Sequence, residues 1–415
     1  MIAPDTGSDK DGAHLFLVES VMTDVVILGA KRTPVGSFLG ALASVAAPRL
    51  GAAAIEAVLS QGGVAADKVE QVLFGNVLQA GLGQAPARQA AIYGGLPASV
   101  GAVTLHKVCG SGLRAVMDGA NAIKAGEWSV VIAGGMESMS ISPHILPNSG
   151  GGYRIGNVQA VDTMVHDGLW DPYGDKHMGS CAELCATRYG FTREEQDAFA
   201  LTSYTRARAS VEGGLFKDEI APVNVPQRRG DPIVVDTDEE PFKAPLEKMP
   251  TLRPAFDKAG TITAANASKI NDGAAALLLA SREQAANSGW TPLGRIVSYA
   301  SHAQEPEWFT TAPVEAARKA LDKAGLSAGE IDQWEVNEAF AVVTMASIRD
   351  LELDPERVNK RGGSVAIGHP IGASGARILT TLLHTLLAEK QRYGCASICI
   401  GGGEAAAVVI ENLTL

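Results

Sequence analysis

The sequence predicts an α/β fold of two similar halves with an irregular segment inserted between them. Its 415 residues are about twice the length of an ordinary single domain. Apolar runs such as residues 25–28 and 130–133 are continuous, the pattern of strands covered by helices on both faces. The chain also repeats itself. These three observations together predict two βαβ-type units.

The repeat relates the early part of the chain to its last part. Residues 69–76 place Glu70 and Gln71 before an apolar run and Asn76, and residues 331–337 place Asp332 and Gln333 before Asn337 in the same way. Residues 111–114 and 374–377 share the pattern Ser-Gly-x-Arg, and each opens a helix that leads to an apolar strand ending in glycines. Each half is therefore predicted to use the same order of strands and helices.

The repeat also divides the chain into predicted domains. The insertion holds 10 of the 20 prolines, a density that disfavours regular sheet. Helices are expected in it near residues 177–189 and 193–210, the second opened by a capping box of Thr192 and Glu195. The predicted units are an N-terminal extension (1–23), the N-terminal half (24–142 and 255–290), the inserted loop domain (143–254) and the C-terminal half (291–415).

Composition and net charge indicate which classes of molecule the protein is expected to bind. A net charge of -11 disfavours nucleic acid or an anionic membrane, because both are bound by clustered Lys and Arg. Five cysteines, an odd number in a long chain, fit a reducing compartment. The first residues resemble neither a transit peptide nor a secretory signal, and no apolar run is long enough to span a membrane. We expect a cytoplasmic protein that acts on small molecules.

Cys109 is the first candidate for chemistry. It ends the run 103–108 and precedes Gly110-Ser111-Gly112, after which an amphipathic helix begins. A helix N-terminus favours the thiolate, and its free N–H groups can stabilise an oxyanion. A lone buried cysteine is more often structural. The flanking glycines, which let a substrate approach the backbone, favour a nucleophile here.

His369 lies in the turn that corresponds, in the repeat, to the turn of Cys109. A thiol and an imidazole in equivalent turns are the pair needed to generate a thiolate at neutral pH. A core histidine is the alternative, and we favour it for His384, which lies on an apolar helix face. For His369 we predict a general base.

Cys399 is predicted to end a buried strand just before the glycines 401–403. A second thiol with a pKa near ~8.5 can carry a proton if its surroundings shift that pKa only modestly. Cys395, on the same face of the strand, is assigned to packing. The glycine triplet lacks the spacing and the Lys of a P-loop.

A metal site is one interpretation of His177, Cys181 and Cys185, which recur every four residues along a predicted helix. No fourth ligand is evident nearby, and zinc sites usually place close Cys pairs on turns. We therefore predict no metal. Met178 and Gly179 instead indicate a flexible apolar surface beside a bound ligand.

Four motifs taken together resemble those of the thiolase family, and in particular its short-chain branch that transfers acetyl groups. The resemblance runs from about Asp24 to the C-terminus. The motifs are Val108-Cys109-Gly110-Ser111-Gly112, Asn337-Glu338-Ala339-Phe340-Ala341, Gly368-His369-Pro370 with Gly372, and Cys399-Ile400-Gly401.

This resemblance implies a five-layer α-β-α-β-α fold, a homotetramer built as a dimer of dimers, and a ping-pong reaction without a cofactor. Cys109 would receive an acetyl group from acetyl-CoA while His369 takes the thiol proton. Cys399 would deprotonate a second acetyl-CoA, whose carbanion attacks the acetyl group to give acetoacetyl-CoA and CoA. His369 and a water held by Asn337 would bind one thioester oxygen, and the N–H groups of Cys109 and Gly401 the other.

The resemblance also implies a pantetheine channel, in which a methionine would leave little room for a long acyl chain. Its lining residues would be Leu169, His177, Met178, Phe256, Ala264, Ser268, Ala339 and Phe340.

Three positions depart from the family pattern. His106 stands where relatives usually have Asn, and Lys269 replaces a small residue after Ser268. Phe242-Lys243 falls where many relatives place an Arg near the CoA nucleotide.

Three alternative functions stay open at this point. A long-chain 3-ketoacyl-CoA thiolase of fatty-acid β-oxidation would use the same groups. A decarboxylating β-ketoacyl synthase would need a second histidine in place of Cys399. A non-catalytic CoA-binding protein is disfavoured by the intact set of Cys109, His369, Asn337 and Cys399.

Overall fold

The computed structural model describes residues 23–415, in which sixteen strands and eleven α-helices alternate. The strands are β1 (Val25–Arg32), β2 (Gly36–Ser37), β3 (Gln71–Gly75), β4 (Gly101–Leu105), β5 (Val130–Ser138), β6 (His144–Ile145), β7 (Val161–Asp162), β8 (Trp170–Asp171), β9 (Lys176–His177), β10 (Val223–Val225), β11 (Ile233–Val235), β12 (Asn271–Ser281), β13 (Gly294–Ala303), β14 (Gln333–Val336), β15 (Tyr393–Ile400) and β16 (Glu404–Asn412). The helices are α1 (Ala47–Gly62), α2 (Pro86–Tyr93), α3 (Ser111–Lys124), α4 (Met178–Tyr189), α5 (Arg193–Glu212), α6 (Glu240–Lys243), α7 (Arg282–Ser288), α8 (Ala312–Ala324), α9 (Ala341–Asp350), α10 (Ser364–Ile367) and α11 (Ser374–Glu389). The expected extension over residues 1–23 lies, apart from Thr23, outside the described residues.

The main sheet has the order β14-β15-β16-β13-β1-β12-β5-β3-β4, with β2 paired to β12. Its two halves are built alike, as the repeat predicts. β3 runs parallel to β5 in one half, and β14 runs parallel to β15 in the other. α1 and α8 each end at a left-handed glycine, Gly63 and Gly325, before these strands. Glycine takes this backbone conformation without the strain that a Cβ atom would add.

The helices form three layers around the two halves of the sheet. On β1, Val25 and Ile27 pack into the central cluster with α3 and α11, whereas Val26 and Leu28 face α1 on the other side. α8 covers the outer face of β13 to β16. The resulting order of layers is α1 and α2, sheet, α3 and α11, sheet, α8. The alternation of side chains along the strands produces this arrangement, because successive apolar residues of β1 and β12 are buried on opposite faces of the sheet.

The segment between β5 and β12 is largely irregular and carries α4, α5 and α6 with three two-stranded ribbons. α5 begins with the expected capping box, in which Thr192 and Glu195 each accept a backbone N–H of the other. α4 and α5 pack against α9 beside the C-terminal half of the sheet. In the part of the chain that is described, no helix has both the length and the apolar character needed to cross a membrane.

Candidate active site

The first turns of α3 and α11 pack directly against each other between the two halves of the sheet. A Cβ atom on Gly112 would lie 2.9 Å from the Ala376 backbone nitrogen, so glycine is required for this close approach. The turns that precede the two helices carry Cys109 and His369. Cys109 packs in the same small cluster as Ile371, which is two residues beyond the histidine. The repeat thus brings its two equivalent turns to one place.

Cys109 precedes α3 in a tight turn. Val108 has a φ of 45°, and Ser111 fixes the turn by accepting the Lys107 N–H (2.8 Å) and donating to the Val108 carbonyl (2.6 Å). Burial raises the pKa of the Cys109 thiol to about 12, although hydrogen bonds from the backbone N–H groups of Cys109 and Gly401 favour the thiolate. The backbone donors at the start of α3 favour the thiolate, as expected, but desolvation of the buried thiol outweighs them. The thiol requires a base.

His369 is buried and held in the form that can accept a proton. Its Nδ1 lies 2.6 Å from Ser374 Oγ, and that hydroxyl donates to the Pro370 carbonyl (2.9 Å). A hydroxyl has one proton to donate, so Ser374 accepts the Nδ1–H of the histidine and leaves Nε2 with a free lone pair. Within residues 23–415, Nε2 has no hydrogen-bond partner. Burial, aided by the positive charge of Arg377, lowers the pKa of His369 to about 3, so the imidazole is neutral.

Asn337 follows β14 and is oriented by a chain of polar groups. Arg377 donates to Ser364 Oγ (2.7 Å), and Ser364 donates to Asn337 Oδ1 (2.7 Å). The Nδ2 group is buried and has no partner among the described residues. Because the carbonyl end of the amide is already occupied, the amide is fixed with its N–H donors free. A free donor in a buried position is the group needed to hold a water or an oxyanion.

Cys399 lies near the end of β15, as expected, and is buried against Met178, Cys185 and Phe340. Burial raises the pKa of its thiol well above the usual value, and negative charge on Cys109 raises it further. The shift is larger than the modest one under which a free thiol would exchange protons near neutral pH. The coupling shows that the two thiols lie close enough to influence each other's ionisation. Cys395, on the same face of β15, is completely buried among apolar side chains.

Glu137 is a buried carboxyl group that the sequence interpretation missed. It accepts hydrogen bonds from Asn76 Nδ2 (2.7 Å), from the N–H groups of residues 77 and 78, and from the Gly372 N–H (2.9 Å). It therefore ties the loop after β3 to the turn that carries His369. Burial raises its pKa to about 7. The sequence signal was an acidic residue inside the apolar strand 130–138, since a buried carboxyl requires several donors.

The residues expected to line a pantetheine channel fall into two groups. Leu169 packs in the cluster that contains Cys109, whereas Met178, Phe256, Ala339 and Phe340 pack in the cluster that contains Cys399. The second group is continuous, because the Phe256 ring stacks on His177 (4.7 Å between centroids) and meets Phe340 edge-on (6.0 Å).

The remaining expected lining residues lie beside this second group. The Ser268 N–H donates to the Ala339 carbonyl (3.0 Å), whereas Ala264 is exposed at the turn before it. Met178 reaches the candidate active site, since a Cβ atom placed on Gly401 would lie 3.6 Å from its terminal methyl carbon.

The helix face considered for metal binding packs against protein. Cys181 and Cys185 are buried in the cluster with α9, and His177 Nδ1 accepts the Gly179 N–H (3.0 Å) as the N-cap of α4. Residues 23–415 contain no group of three or more His, Cys, Asp or Glu side chains placed to hold a metal ion. His106 accepts the Val108 N–H (3.3 Å), a contact within the turn of the candidate nucleophile.

Comparison with known proteins gives concordant results for sequence and fold. Residues 25–283 match the family described as thiolase, N-terminal domain, and residues 290–412 match thiolase, C-terminal domain. The acetyl-CoA acetyltransferases of Pseudomonas aeruginosa and Cupriavidus necator are each 52% identical over 392 residues, 94% of this chain and 100% of theirs. The Acat5 thiolase of Ascaris suum, solved in complex with coenzyme A, superposes with a TM-score of 0.90 at 45% identity, covering 94% of this chain and 100% of that one. The Bacillus anthracis acetyl-CoA acetyltransferase gives 0.92 at 40% identity, covering 94% and 99%.

Proposed function

Because the chain belongs to the thiolase family, we propose that it condenses two acetyl-CoA molecules to acetoacetyl-CoA and CoA, and catalyses the reverse thiolysis. The observation that carries this proposal is the pair of buried, unpartnered polar groups beside the candidate nucleophile. His369 Nε2 is a free acceptor and Asn337 Nδ2 a free donor among the described residues. Together with Cys109 and Cys399 they supply a nucleophile, a base, a proton carrier and an oxyanion donor.

In the first half-reaction, we propose that His369 Nε2 removes the proton of Cys109 as the sulfur attacks the carbonyl carbon of acetyl-CoA. The new bond joins that carbon to Cys109, the thioester bond to CoA breaks, and the leaving CoA sulfur takes the proton of Cys399, which is left as a thiolate while His369 keeps the proton of Cys109. The pKa of Cys109, about 12, makes this concerted use of a base necessary. The N–H groups of Cys109 and Gly401 are the donors proposed for the developing oxyanion, which they can stabilise in the dry site.

In the second half-reaction, Cys399 is proposed to remove a proton from the methyl group of another acetyl-CoA. The carbanion attacks the acetyl group on Cys109, a carbon–carbon bond forms as the carbon–sulfur bond breaks, and His369 returns its proton to the released Cys109 sulfur. The carbanion has no acetyl group to attack until Cys109 has been acetylated, so the two steps occur in this order.

The finer features of the proposal have separate support. Short acyl chains are favoured because the Met178 methyl carbon lies only 3.6 Å from the position that a Cβ atom on Gly401 would take. We propose no metal and no cofactor beyond the CoA thioesters, a homotetramer, and a cytoplasmic role in lipid metabolism. A long-chain thiolase is the second candidate for the activity, and it would have to move Met178 out of the acyl path.

Steady-state assays with acetyl-CoA and acetoacetyl-CoA in both directions, with mass spectrometry of the acetylated enzyme, test the function. We expect acetylation on Cys109 and thiolysis rates that fall as the acyl chain lengthens. Thiolysis of a long-chain 3-ketoacyl-CoA as fast as that of acetoacetyl-CoA would refute the short-chain assignment. Absence of both condensation and acetylation would refute the activity itself.

A further inference from the structure

Lys269 connects two segments of the candidate active site through its ammonium group. Nζ donates to the Ala267 carbonyl (2.8 Å) and to the Val365 carbonyl (3.2 Å). Ala267 adjoins Ser268 in the loop before β12, and Val365 belongs to α10, the single helical turn that leads to His369. A lysine here departs from the small residue of the family pattern, so the catalytic scheme proposed above gives it no role.

The segment that carries Asn337 contacts both of the segments that Lys269 connects, the Ala267 loop and α10. The Val365 N–H donates to the Glu338 carboxylate (3.1 Å), so both backbone polar groups of Val365 are bound by charged side chains. The backbone of Ala267 also bridges to Phe340 in an antiparallel pairing. Lys269 therefore lies where the loops bearing the expected base, the expected oxyanion donor and the expected pantetheine contacts converge.

The charges around Lys269 favour a cation at this point. Tyr204 on α5 places its ring 5.5 Å from Nζ, and Glu240 on α6 and Glu338 after β14 are the acidic groups that stabilise the ammonium form. Glu240 in turn accepts from Asn271 Nδ2 (3.2 Å), and Asn271 Oδ1 accepts the His369 N–H (2.8 Å). Burial nevertheless lowers the pKa of Lys269 to about 8.

A small residue could not replace these interactions. The Val365 carbonyl belongs to the last turn of α10, where carbonyl groups lack helical partners and carry partial negative charge. An ammonium group has three donors and no acceptor, so it can bind two carbonyl oxygens that would otherwise repel each other. Removing it leaves both oxygens without that donor and removes a positive charge that interacts with Glu240 and Glu338.

We propose that Lys269 is a positioning residue, whose ammonium group clamps the α10 turn to the Ala267 loop and so fixes His369 relative to Cys109 and the bound thioester. The inference rests on the proposed function for its kinetic consequences. Its structural core is independent of the substrate, because His369 also governs the reactivity of Cys109 toward a simple alkylating agent.

The test compares Lys269→Met with a matched control, Lys31→Met. Methionine keeps the length and apolar stem of the side chain but removes the charge and the donors. Lys31 is also a lysine whose pKa burial lowers and whose Nζ donates to a backbone carbonyl, that of Asp218 (2.7 Å), and within residues 23–415 it forms no hydrogen bond to an expected site residue. Folding of both variants is checked by circular dichroism and thermal unfolding.

For Lys269→Met we expect kcat for condensation to fall by roughly 10- to 100-fold, the scale of a misplaced catalytic group, with little change in KM. Alkylation of Cys109 by iodoacetamide, followed at the Cys109 peptide by mass spectrometry, should slow by a similar factor. In the wild type, kcat should also decline as the pH rises through about 8, where Lys269 loses its charge. That decline should be absent from Lys269→Met, and Lys31→Met should match the wild type throughout.

Chemical rescue separates positioning from a loss of stability. Lys269→Ala lacks the three carbons and the nitrogen that n-propylammonium would restore, so this cation should recover part of kcat, whereas neutral n-propanol should not. An unchanged kcat and alkylation rate in Lys269→Met would overturn the inference, as would equal rescue by n-propanol. If the wild type proves inactive with acetyl-CoA, only the proposed function fails, and the alkylation rates still decide whether Lys269 positions His369.

Discussion

Removing the Ser374 hydroxyl should weaken His369 as a base without touching the reacting atoms. The hydroxyl accepts the Nδ1–H at 2.6 Å and donates to the Pro370 carbonyl at 2.9 Å, which together select the tautomer with a free Nε2 lone pair. In Ser374→Ala that selection is lost. A hydrogen bond of this kind contributes about 0.5–1.5 kcal/mol. Since about 1.4 kcal/mol corresponds to a tenfold change in rate, we expect acylation of Cys109 to slow by roughly 2- to 12-fold.

The assay is a rapid-quench measurement of Cys109 acetylation by acetyl-CoA, which isolates the first half-reaction. Thr385→Val is the matched control, because Thr385 is also a buried hydroxyl on α11 but donates only to the Thr381 carbonyl (2.8 Å). We expect this control to acetylate at the wild-type rate. If Ser374→Ala acetylated as fast as Thr385→Val, tautomer selection by Ser374 would be refuted. A large loss in both variants would instead indicate that α11 itself had shifted.

Three further predictions concern other groups of the site. Cys109→Ala should abolish protein acetylation and activity, whereas Cys399→Ala should still acetylate but lose condensation; mass spectrometry and turnover assays check both, and condensation at the wild-type rate without Cys399 would contradict its role. Met178→Ala should raise the relative rate of thiolysis of longer 3-ketoacyl-CoA substrates, because the methionine side chain now reaches the space beside Gly401; an unchanged chain-length profile would contradict this. Burial raises the pKa of Glu137 from 4.5 to about 7, so the folded state binds its proton more tightly and stability should fall as the pH rises from about 4.5 to 7. Glu137→Gln should flatten that part of the pH profile in chemical denaturation, and an unchanged slope would contradict the shift.

Local patterns were enough to predict much of the fold. The left-handed glycines after α1 and α8, the capping box of α5 and the apolar strands all follow from residue types at fixed spacings. The repeat correctly predicted that the turns before α3 and α11 are equivalent, because similar sequences fold into similar units. The layers could be expected only through the family resemblance, since periodicity does not state which strand lies beside which.

The ionisation of the site could not be predicted from the sequence. Proximity to a helix N-terminus indicated a stabilised thiolate at Cys109, but the structure raises its pKa to about 12. Burial also raises the pKa of Cys399 well above its usual value. Desolvation depends on atoms contributed from distant segments, and it outweighs a local dipole. Glu137 was missed for the same reason, since its four donors come from two segments far from it in the sequence, residues 76–78 and Gly372.

The sequence by itself determined which groups are present and where each stands in its own turn, as with Cys109 at the start of α3 and His369 before α11. Only the tertiary structure decided how those groups act. It packed the two helix ends together, selected the His369 tautomer through Ser374, left Asn337 Nδ2 free, and set the ammonium of Lys269 between two backbone carbonyls. The physical reason is the distance along the chain over which each property is determined. Local backbone geometry depends on residues that are neighbours in the sequence, whereas burial and hydrogen bonding depend on residues that the fold brings together from distant segments.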